Sequence, residues 1–209
     1  MIRISIIGFS LCLMLWSIYK PSNVDTDLAP GSDLSQLLEK TFGFTKLHHI
    51  GRLDRDTSGL LLISCDGFLT NKVLSCTNLP KSYLARVSRP PRPETLINLH
   101  DGVVPLGDGP ARVIHAEEVF ESDVSTSPLF MCPNYQSIER EYFFVRVLTC
   151  EGRNRVVRRL LAAVGLPVLA LHRERIGNIV LDHSTVPGTV SKVSEDQLEG
   201  FLALLDAHS

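Results

Sequence analysis

The chain lacks both a strong net charge and internal repeats. Its 21 basic and 23 acidic residues give a net charge of −2, so overall charge does not indicate a nucleic-acid-binding protein. Hydrophobic residues make up 44% and charged residues 21% of the 209 positions, which excludes an intrinsically disordered chain. We therefore expect one globular domain with a substantial core.

Cysteines are few, odd in number and not spaced as zinc ligands. They are Cys12, Cys65, Cys76, Cys132 and Cys150. This pattern argues against a disulfide framework and predicts reduced, mostly buried thiols in a reducing compartment. His48 and His49 are adjacent, so on a strand they would face opposite sides and could not easily share one metal ion. We expect no metal site.

No apolar segment is long enough for an ordinary membrane span. The strongly apolar stretch 4–19 falls short of the about 20 residues that a transmembrane helix needs. A secretory signal is an alternative, but no small-residue cleavage site follows it, and free cysteines argue against export. We favour an apolar extension or first strand over 1–18 of an intracellular protein. The compartment would be the cytoplasm, or a mitochondrion or plastid in a eukaryote.

Strand and helix patterns are mixed without strict alternation. Helices are predicted from Ser32 or Asp33 to Lys40, after Asp66, over 94–100, over 153–164 and after the capping box at 194–197. Strands are predicted over 48–53, 60–64, 82–87, 111–119, 142–148 and 168–172. The polar, turn-rich stretch 121–140 is interpreted as a surface insertion. Together these elements predict an α+β fold with a mixed, largely antiparallel central sheet flanked by helices.

Positive charge is concentrated in residues 140–175, which hold eight arginines and three glutamates. Within this segment, apolar residues gather on one side of the helix predicted over 153–164. The other side carries Arg155, Arg158 and Arg159. Three guanidiniums at this spacing suit phosphates or a buried carboxylate. A solubilising surface is the alternative, although it would usually mix lysine with glutamate.

The most informative string is GRLDRDTSGLLL, residues 51–62. It places Asp54 in a tight polar turn that leads directly into an apolar strand. A short loop held by a rigid strand can direct a reactive group into a cleft. An ordinary turn or cap is the alternative for an isolated aspartate.

A second short motif is Lys81-Ser82-Tyr83. On a strand Lys81 and Tyr83 share one face, where the tyrosine ring could stack under a planar ligand such as a base. A packed core tyrosine is the alternative.

These motifs together resemble the RNA pseudouridine synthases, and in particular the RsuA-like branch that modifies ribosomal RNA. The catalytic signature of the family is matched by residues 51–62. Further matching segments follow the family's order: Tyr19-Lys20-Pro21, Cys65-Asp66-Gly67, Lys81-Ser82-Tyr83, the arginine-rich 151–160, Val164-Gly165, Leu171-His172-Arg173 and Ile176-Gly177. The resemblance implies one catalytic domain over 19–206.

The resemblance implies that a uridine in RNA, with ribosomal RNA as the expected substrate, is isomerised to pseudouridine without a cofactor. It implies Asp54 as the nucleophile, Arg158 as the partner of its carboxylate, and Tyr83 as the ring that packs on the target base. The residues expected to contact RNA are Arg52, Lys81, Arg153, Arg155, Arg159 and Arg173. We expect a monomer with no stable membrane association.

The sequence departs from the family's pattern at several points, among them Lys192, near a position where arginine is common, and the insertion at 121–140. Val156 stands where the family usually has glutamine, and little chain precedes the match, so we do not expect the small N-terminal RNA-binding domain of many relatives. The main alternative is therefore a catalytically weakened RNA-binding or ribosome-assembly protein on the same fold. The presence of Asp54, Tyr83 and Arg158 together favours an active enzyme, because binding alone would not require the carboxylate.

Overall fold

The computed structural model describes residues 14–43, 46–101, 103–124 and 142–207. The strands are β1 (Leu15–Lys20), β2 (His48–Ile50), β3 (Thr57–Ser64), β4 (Lys81–Val87), β5 (Val103–Val104), β6 (Ala111–Arg112), β7 (His115–Val119), β8 (Phe143–Thr149), β9 (Val168–Ile176), β10 (Ile179–Val180) and β11 (Val190–Lys192). The helices are α1 (Asp33–Phe42), α2 (Gly67–Ser75), α3 (Pro93–Asp101), α4 (Glu121–Val124), α5 (Val156–Ala163) and α6 (Glu195–Ala207).

One nine-stranded sheet organises the fold. Its order is β11-β1-β3-β9-β4-β8-β7, with β2 paired to β3 and β10 paired to β9, while β5 and β6 form a separate ribbon. Among the strand pairs of the described ranges, β3 with β9 is the parallel one and the others are antiparallel. The expected α+β fold with a mixed, largely antiparallel sheet is confirmed.

Alternate residues of β3 face two different cores, which explains why the whole strand is buried. Leu60 and Leu62 pack in one cluster with residues of α2 and α6. Leu61 and Ile63 pack in another with Leu34 of α1. The strand that follows the Asp54 turn is therefore fixed from both sides.

The apolar N-terminal segment is a buried strand where the structure describes it. In β1, Ile18 and Tyr19 are buried and the strand lies between β3 and β11. Residues 1–13 lie outside the described part of the chain. So do residues 125–141, which include most of the stretch 121–140 that was interpreted as an insertion. No helix among the described residues is long and apolar enough to cross a membrane.

Several boundaries and orientations differ from the prediction. The helix predicted over 153–164 begins at Val156, because Arg155 has a left-handed backbone (φ 49°, ψ 28°) and caps the helix instead of continuing it. The strand predicted over 111–119 is divided into β6 and β7. Leu74, expected to face inward on α2, is exposed, and so is the thiol-bearing Cys65.

Candidate active site

The loop between β2 and β3 carries Asp54. The Asp54 carbonyl accepts a hydrogen bond from the backbone N–H of Thr57 (3.0 Å), which closes the turn where β3 begins. Two residues further on, Gly59 has φ +112°, and a Cβ there would lie 2.3 Å from the carbonyl oxygen of Arg173. Only glycine allows β3 to approach β9 this closely, so the close contact with β9 fixes the end of the turn.

Two buried cations hold the loop from either side. Arg173 of β9 donates from Nε to the Leu60 carbonyl (2.8 Å) and from Nη1 to the Arg52 carbonyl (3.4 Å), so it spans the turn. Lys20 at the end of β1 donates from Nζ to the carbonyls of Val24 (2.6 Å) and Arg55 (3.4 Å). The backbone on both sides of Asp54 is thereby restrained.

The ammonium of Lys20 is buried beside three carboxylates. Burial lowers the pKa of Lys20 to about 8, and the nearby carboxylates of Asp25, Asp56 and Asp54 oppose that shift.

An open cavity of about 970 Å³ lies against this loop. Its volume is at the upper end of the range of ligand pockets, large enough for a nucleotide. It brings together seven of the nine site residues predicted from the sequence: Arg52, Asp54, Lys81, Tyr83, Arg153, Arg155 and Arg173. The other two, Arg158 and Arg159, do not belong to its lining.

Asp54 is half-buried, and its ion-pair neighbour is Arg155. Nη1 of Arg155 lies 3.8 Å from Oδ2 of Asp54. The same guanidinium binds the carboxylate of Asp56 through two hydrogen bonds of 3.0 and 2.9 Å. These bonds are the main reason that the pKa of Asp56 is lowered; burial opposes the shift. Asp56 thus fixes the arginine that faces Asp54.

Arg158 reaches the same turn at a different carboxylate. Its Nη2 donates to the carbonyl of Asp56 (3.0 Å) and lies 3.2 Å from Oδ2 of Asp56. The expected pair of Arg158 with Asp54 is not formed within ion-pair distance among the described residues. The physical reason is that Arg155 caps the helix with a left-handed backbone and its side chain lies beside Asp54, whereas Arg158, within α5, contacts Asp56.

Tyr83 is both a packed core residue and part of the cavity wall, so it fits both interpretations of its motif. It is 8% exposed and packs in the cluster that contains Val156 and Val157 of α5, yet it also lines the cavity. Val156, at the position of the family's glutamine, is buried and extends this apolar wall. A planar base entering the cavity would meet an apolar surface beside the Asp54 carboxylate.

Other predicted RNA contacts are engaged with the protein itself. Arg153 donates to the carbonyls of Gly109 (2.9 Å) and Pro110 (2.8 Å), and Arg159 binds the carboxylate of Asp108 through two bonds of 2.7 and 2.9 Å. Both therefore fasten the segment 108–110 to the start of α5. Nζ of Lys81 donates to the carbonyls of Leu79 (3.0 Å) and Cys150 (3.2 Å), and burial lowers the pKa of Lys81.

Sequence reasoning missed the roles of Lys20, Asp56 and Arg112. Lys20 and Asp56 were quoted only as members of motifs, although the charge of Asp56, two residues after Asp54, marked it as a second carboxylate of the turn. Arg112, which lines the cavity, belongs to no motif, so only the fold reveals it.

A buried serine–histidine pair lies behind the loop and not in the cavity lining. Ser58 Oγ and His172 Nδ1 are 2.9 Å apart. Burial lowers the pKa of His172 to about 3, so the ring is neutral and joins β3 to β9. No group of three or more His, Cys, Asp or Glu side chains in the described residues could hold a metal ion.

Comparison with known proteins identifies the family. The sequence profile described as RNA pseudouridylate synthase matches residues 15–163. An uncharacterised RNA pseudouridine synthase of Mycobacterium bovis is 37% identical over 167 residues, which cover 79% of this chain and 58% of that protein. Ribosomal large subunit pseudouridine synthase E of Xanthomonas axonopodis is 36% identical over 180 residues, covering 81% of this chain and 88% of that protein. Ribosomal small subunit pseudouridine synthase A of Yersinia pestis is 34% identical over 154 residues, which cover 73% of this chain and 57% of that protein.

Solved structures agree with the sequence relatives. A crystal structure of a pseudouridylate synthase superposes with a TM-score of 0.70 at 25% identity, covering 90% of this chain and 73% of that one. A chain from the structure of an H/ACA RNP bound to a substrate RNA containing 2′-deoxyuridine shares the fold, with a TM-score of 0.58 at 18% identity over 84% of this chain and 51% of that one. The chain spans about 58% of the length of the mycobacterial relative. By its sequence and its fold, the chain belongs to the RNA pseudouridylate synthase family.

Proposed function

We propose that this protein isomerises a specific uridine of RNA to pseudouridine, with ribosomal RNA as the substrate and Asp54 as the nucleophile. The observation that carries the proposal is the position of the Asp54 carboxylate. It lines the same cavity as Tyr83, on a loop whose backbone is held by Arg173 and Lys20. Relatives named as small and large subunit ribosomal synthases support ribosomal RNA as the substrate.

The reaction needs no electron carrier. The bond between uracil N1 and the ribose C1′ breaks, the base rotates, C5 bonds to C1′, and the proton on C5 leaves while N1 regains one. Atoms and electrons balance within the nucleotide, so one ionised carboxylate in a cavity that excludes water is the group the protein must supply. In the proposed mechanism Asp54 attacks the base or the ribose carbon and holds the detached fragment.

The uridine must leave its stack to reach this carboxylate, which costs a few kcal/mol. Stacking on an aromatic ring contributes about 1–3 kcal/mol per base, so Tyr83 can offset much of that cost. The Arg155 guanidinium lies 3.8 Å from the Asp54 carboxylate and places a positive charge beside the proposed nucleophile.

Arg158 has a positioning role in this proposal. It binds the carbonyl and the carboxylate of Asp56, and so it holds the turn from the side of α5. In this proposal Arg158 acts through the geometry of the turn, and Arg155 is the arginine that faces the nucleophile.

Complementation of cells that lack the protein tests the proposal. Pseudouridine mapping of ribosomal RNA should show one site, or a few, missing from these cells and restored by the wild type. Asp54→Asn should not restore them, because the amide is not a nucleophile of comparable strength. The control Asp25→Asn changes an exposed carboxylate that pairs with Arg55 outside the cavity, and it should restore the modification. Full rescue by Asp54→Asn would instead favour an RNA-binding protein on the same fold.

A further inference from the structure

Apart from the buried Arg173, whose guanidinium binds backbone carbonyls, the arginines in and near the cavity lining fall into two groups. In the first, the guanidinium is already engaged with a carboxylate of the protein: Arg153 with Glu151 (3.0 Å), Arg155 with Asp56 (2.9 Å) and Arg159 with Asp108 (2.7 Å). An RNA phosphate could bind these groups only by competing with a carboxylate that is already in contact. They are therefore poor candidates for the main contacts with the RNA backbone.

In the second group are Arg52 and Arg112. Both side chains are exposed and both residues line the cavity. Across the described ranges neither guanidinium has a hydrogen-bond or ion-pair partner, and their charge is available to a ligand. An exposed arginine is ordinary by itself, but here the cavity supplies a second reason to expect a ligand.

The backbone of each free arginine is held in place. The Arg52 carbonyl accepts from the buried Arg173 guanidinium (3.4 Å). The Arg112 carbonyl accepts from the hydroxyl of Thr149 (2.9 Å), and its N–H donates to the Glu151 carboxylate (3.3 Å). The two guanidiniums therefore extend from fixed points at the cavity.

The free arginines lie on opposite walls. Arg52 precedes β3, whereas Arg112 joins the end of β8, and β9 and β4 lie between those strands. Three strand spacings of about 4.8 Å place the walls on the order of 14 Å apart. At that separation the two guanidiniums can contact phosphates on the two sides of an extruded nucleotide.

Two exposed apolar side chains accompany these arginines. Leu74 of α2 is 55% exposed and Ile114, two residues after Arg112, is 45% exposed, and both line the cavity. Apolar side chains beside a basic groove can pack on bases or enter between them. A ligand with both charged and flat apolar parts suits this surface.

We propose that Arg52, Leu74, Arg112 and Ile114 form the RNA-binding rim of the cavity. Its partner is a single-stranded RNA segment with one nucleotide extruded into the cavity. Arg52 and Arg112 contact phosphates on either side of that nucleotide, and Leu74 and Ile114 pack on the neighbouring bases. The inference rests on the proposed function and replaces Arg153 and Arg159 as the expected backbone contacts.

Salt-dependent binding of a fluorescein-labelled single-stranded oligouridine tests the rim. Each phosphate contact contributes about −0.7 to the slope of log K against log salt for a single strand, which is about fivefold in affinity at about 0.1 M salt. Arg52→Gln and Arg112→Gln should each weaken binding by about that factor and make the slope shallower by about 0.7. Arg89→Gln and Arg92→Gln are matched controls, because both side chains are exposed and outside the cavity lining, and they should change neither quantity.

The apolar pair has a different signature. Leu74→Ser and Ile114→Ser should weaken oligouridine binding without changing the salt slope, because an apolar contact releases no counterions. On ribosomal RNA from cells lacking the protein, all four rim variants should raise KM for pseudouridine formation and leave kcat nearly unchanged.

The outcomes separate the two proposals. If wild type forms pseudouridine while Arg52→Gln and Arg112→Gln keep the wild-type affinity and slope, the rim is wrong and the proposed function stands. If wild type binds RNA with the predicted rim dependence but forms no pseudouridine, the proposed function is wrong and the rim stands.

Discussion

At the scale of single residues, two carboxylates of one turn have different tasks. Asp54 is half-buried and lines the cavity, whereas Asp56 lies outside the lining and holds Arg155 through two hydrogen bonds. Bidentate contacts between arginine and carboxylate fix the orientation of the planar guanidinium. Asp56 therefore determines where positive charge is presented to Asp54.

Replacement of Asp56 tests this division of tasks. Asp56→Asn removes one charge-assisted acceptor, so Arg155 loses its orientation. With Asp54 as the proposed nucleophile, kcat should fall roughly 10–100-fold, as expected for a misplaced group beside it. KM for RNA should stay unchanged or fall, because the variant removes negative charge near the ligand. Steady-state kinetics on ribosomal RNA from cells lacking the protein measures both.

Asp108→Asn is the matched control for this experiment. Asp108 also binds an arginine through two hydrogen bonds, but it lies outside the cavity lining. The kcat of the Asp108→Asn variant should remain within about twofold of the wild-type value. Equal losses of kcat in both variants would contradict a specific role for Asp56.

At the scale of elements, the parallel pair β3–β9 positions the turn. Gly59 lies opposite Arg173 in this pair, and the side chain of Arg173 reaches back to the carbonyls of Leu60 and Arg52. The strand that follows the turn and the arginine that spans the turn therefore hold each other in place. A change in their spacing moves Asp54.

Gly59→Ala should disturb this arrangement directly. Its φ of +112° is strained for alanine, and the added Cβ would lie 2.3 Å from the Arg173 carbonyl oxygen. We expect the free energy of unfolding to fall by about 2–4 kcal/mol in urea denaturation. Gly107→Ala, where a Cβ would meet nothing within 4 Å, should change it by less than about 0.5 kcal/mol. A neutral Gly59→Ala would show that the two strands can separate without cost.

At the scale of the whole molecule, charge beneath the site affects global stability. The pKa of Lys20 falls to about 8 in the folded state, from an ordinary value of 10.5. Between those two values the unfolded chain holds a proton that the folded protein has released. Stability therefore rises with pH through this window, and the cost of the buried charge is fully present below it.

Urea unfolding of wild type and Lys20→Met at about pH 7 and about pH 10 measures this effect. The free energy of unfolding of the wild type, relative to that of the variant, should rise by about 1–3 kcal/mol between the lower and the higher pH. The comparison with Lys20→Met cancels the titration of other groups, including Lys81, whose pKa burial also lowers. A constant difference between the two proteins would show that Lys20 keeps its proton in the fold.

Much of the fold and part of the site could be predicted from sequence. Local patterning and capping placed β4, β8 and α6 nearly correctly, since each depends on residues close together in the chain. The contact between Arg155 and Asp54 could not be predicted, because three arginines and two carboxylates allow several pairings. The left-handed backbone of Arg155 selects one of these pairings, and no local sequence pattern predicts that conformation.

The sequence by itself determined the α+β class and the family, because periodicity and ordered motifs are properties of the chain. Only the tertiary structure decided which charges remain available. Arg153, Arg155 and Arg159 carry the same charge as Arg52 and Arg112, yet the first three meet carboxylates of the fold. Pairing depends on distances between residues far apart in the chain, and those distances exist only after strands β3, β9, β4 and β8 have assembled side by side.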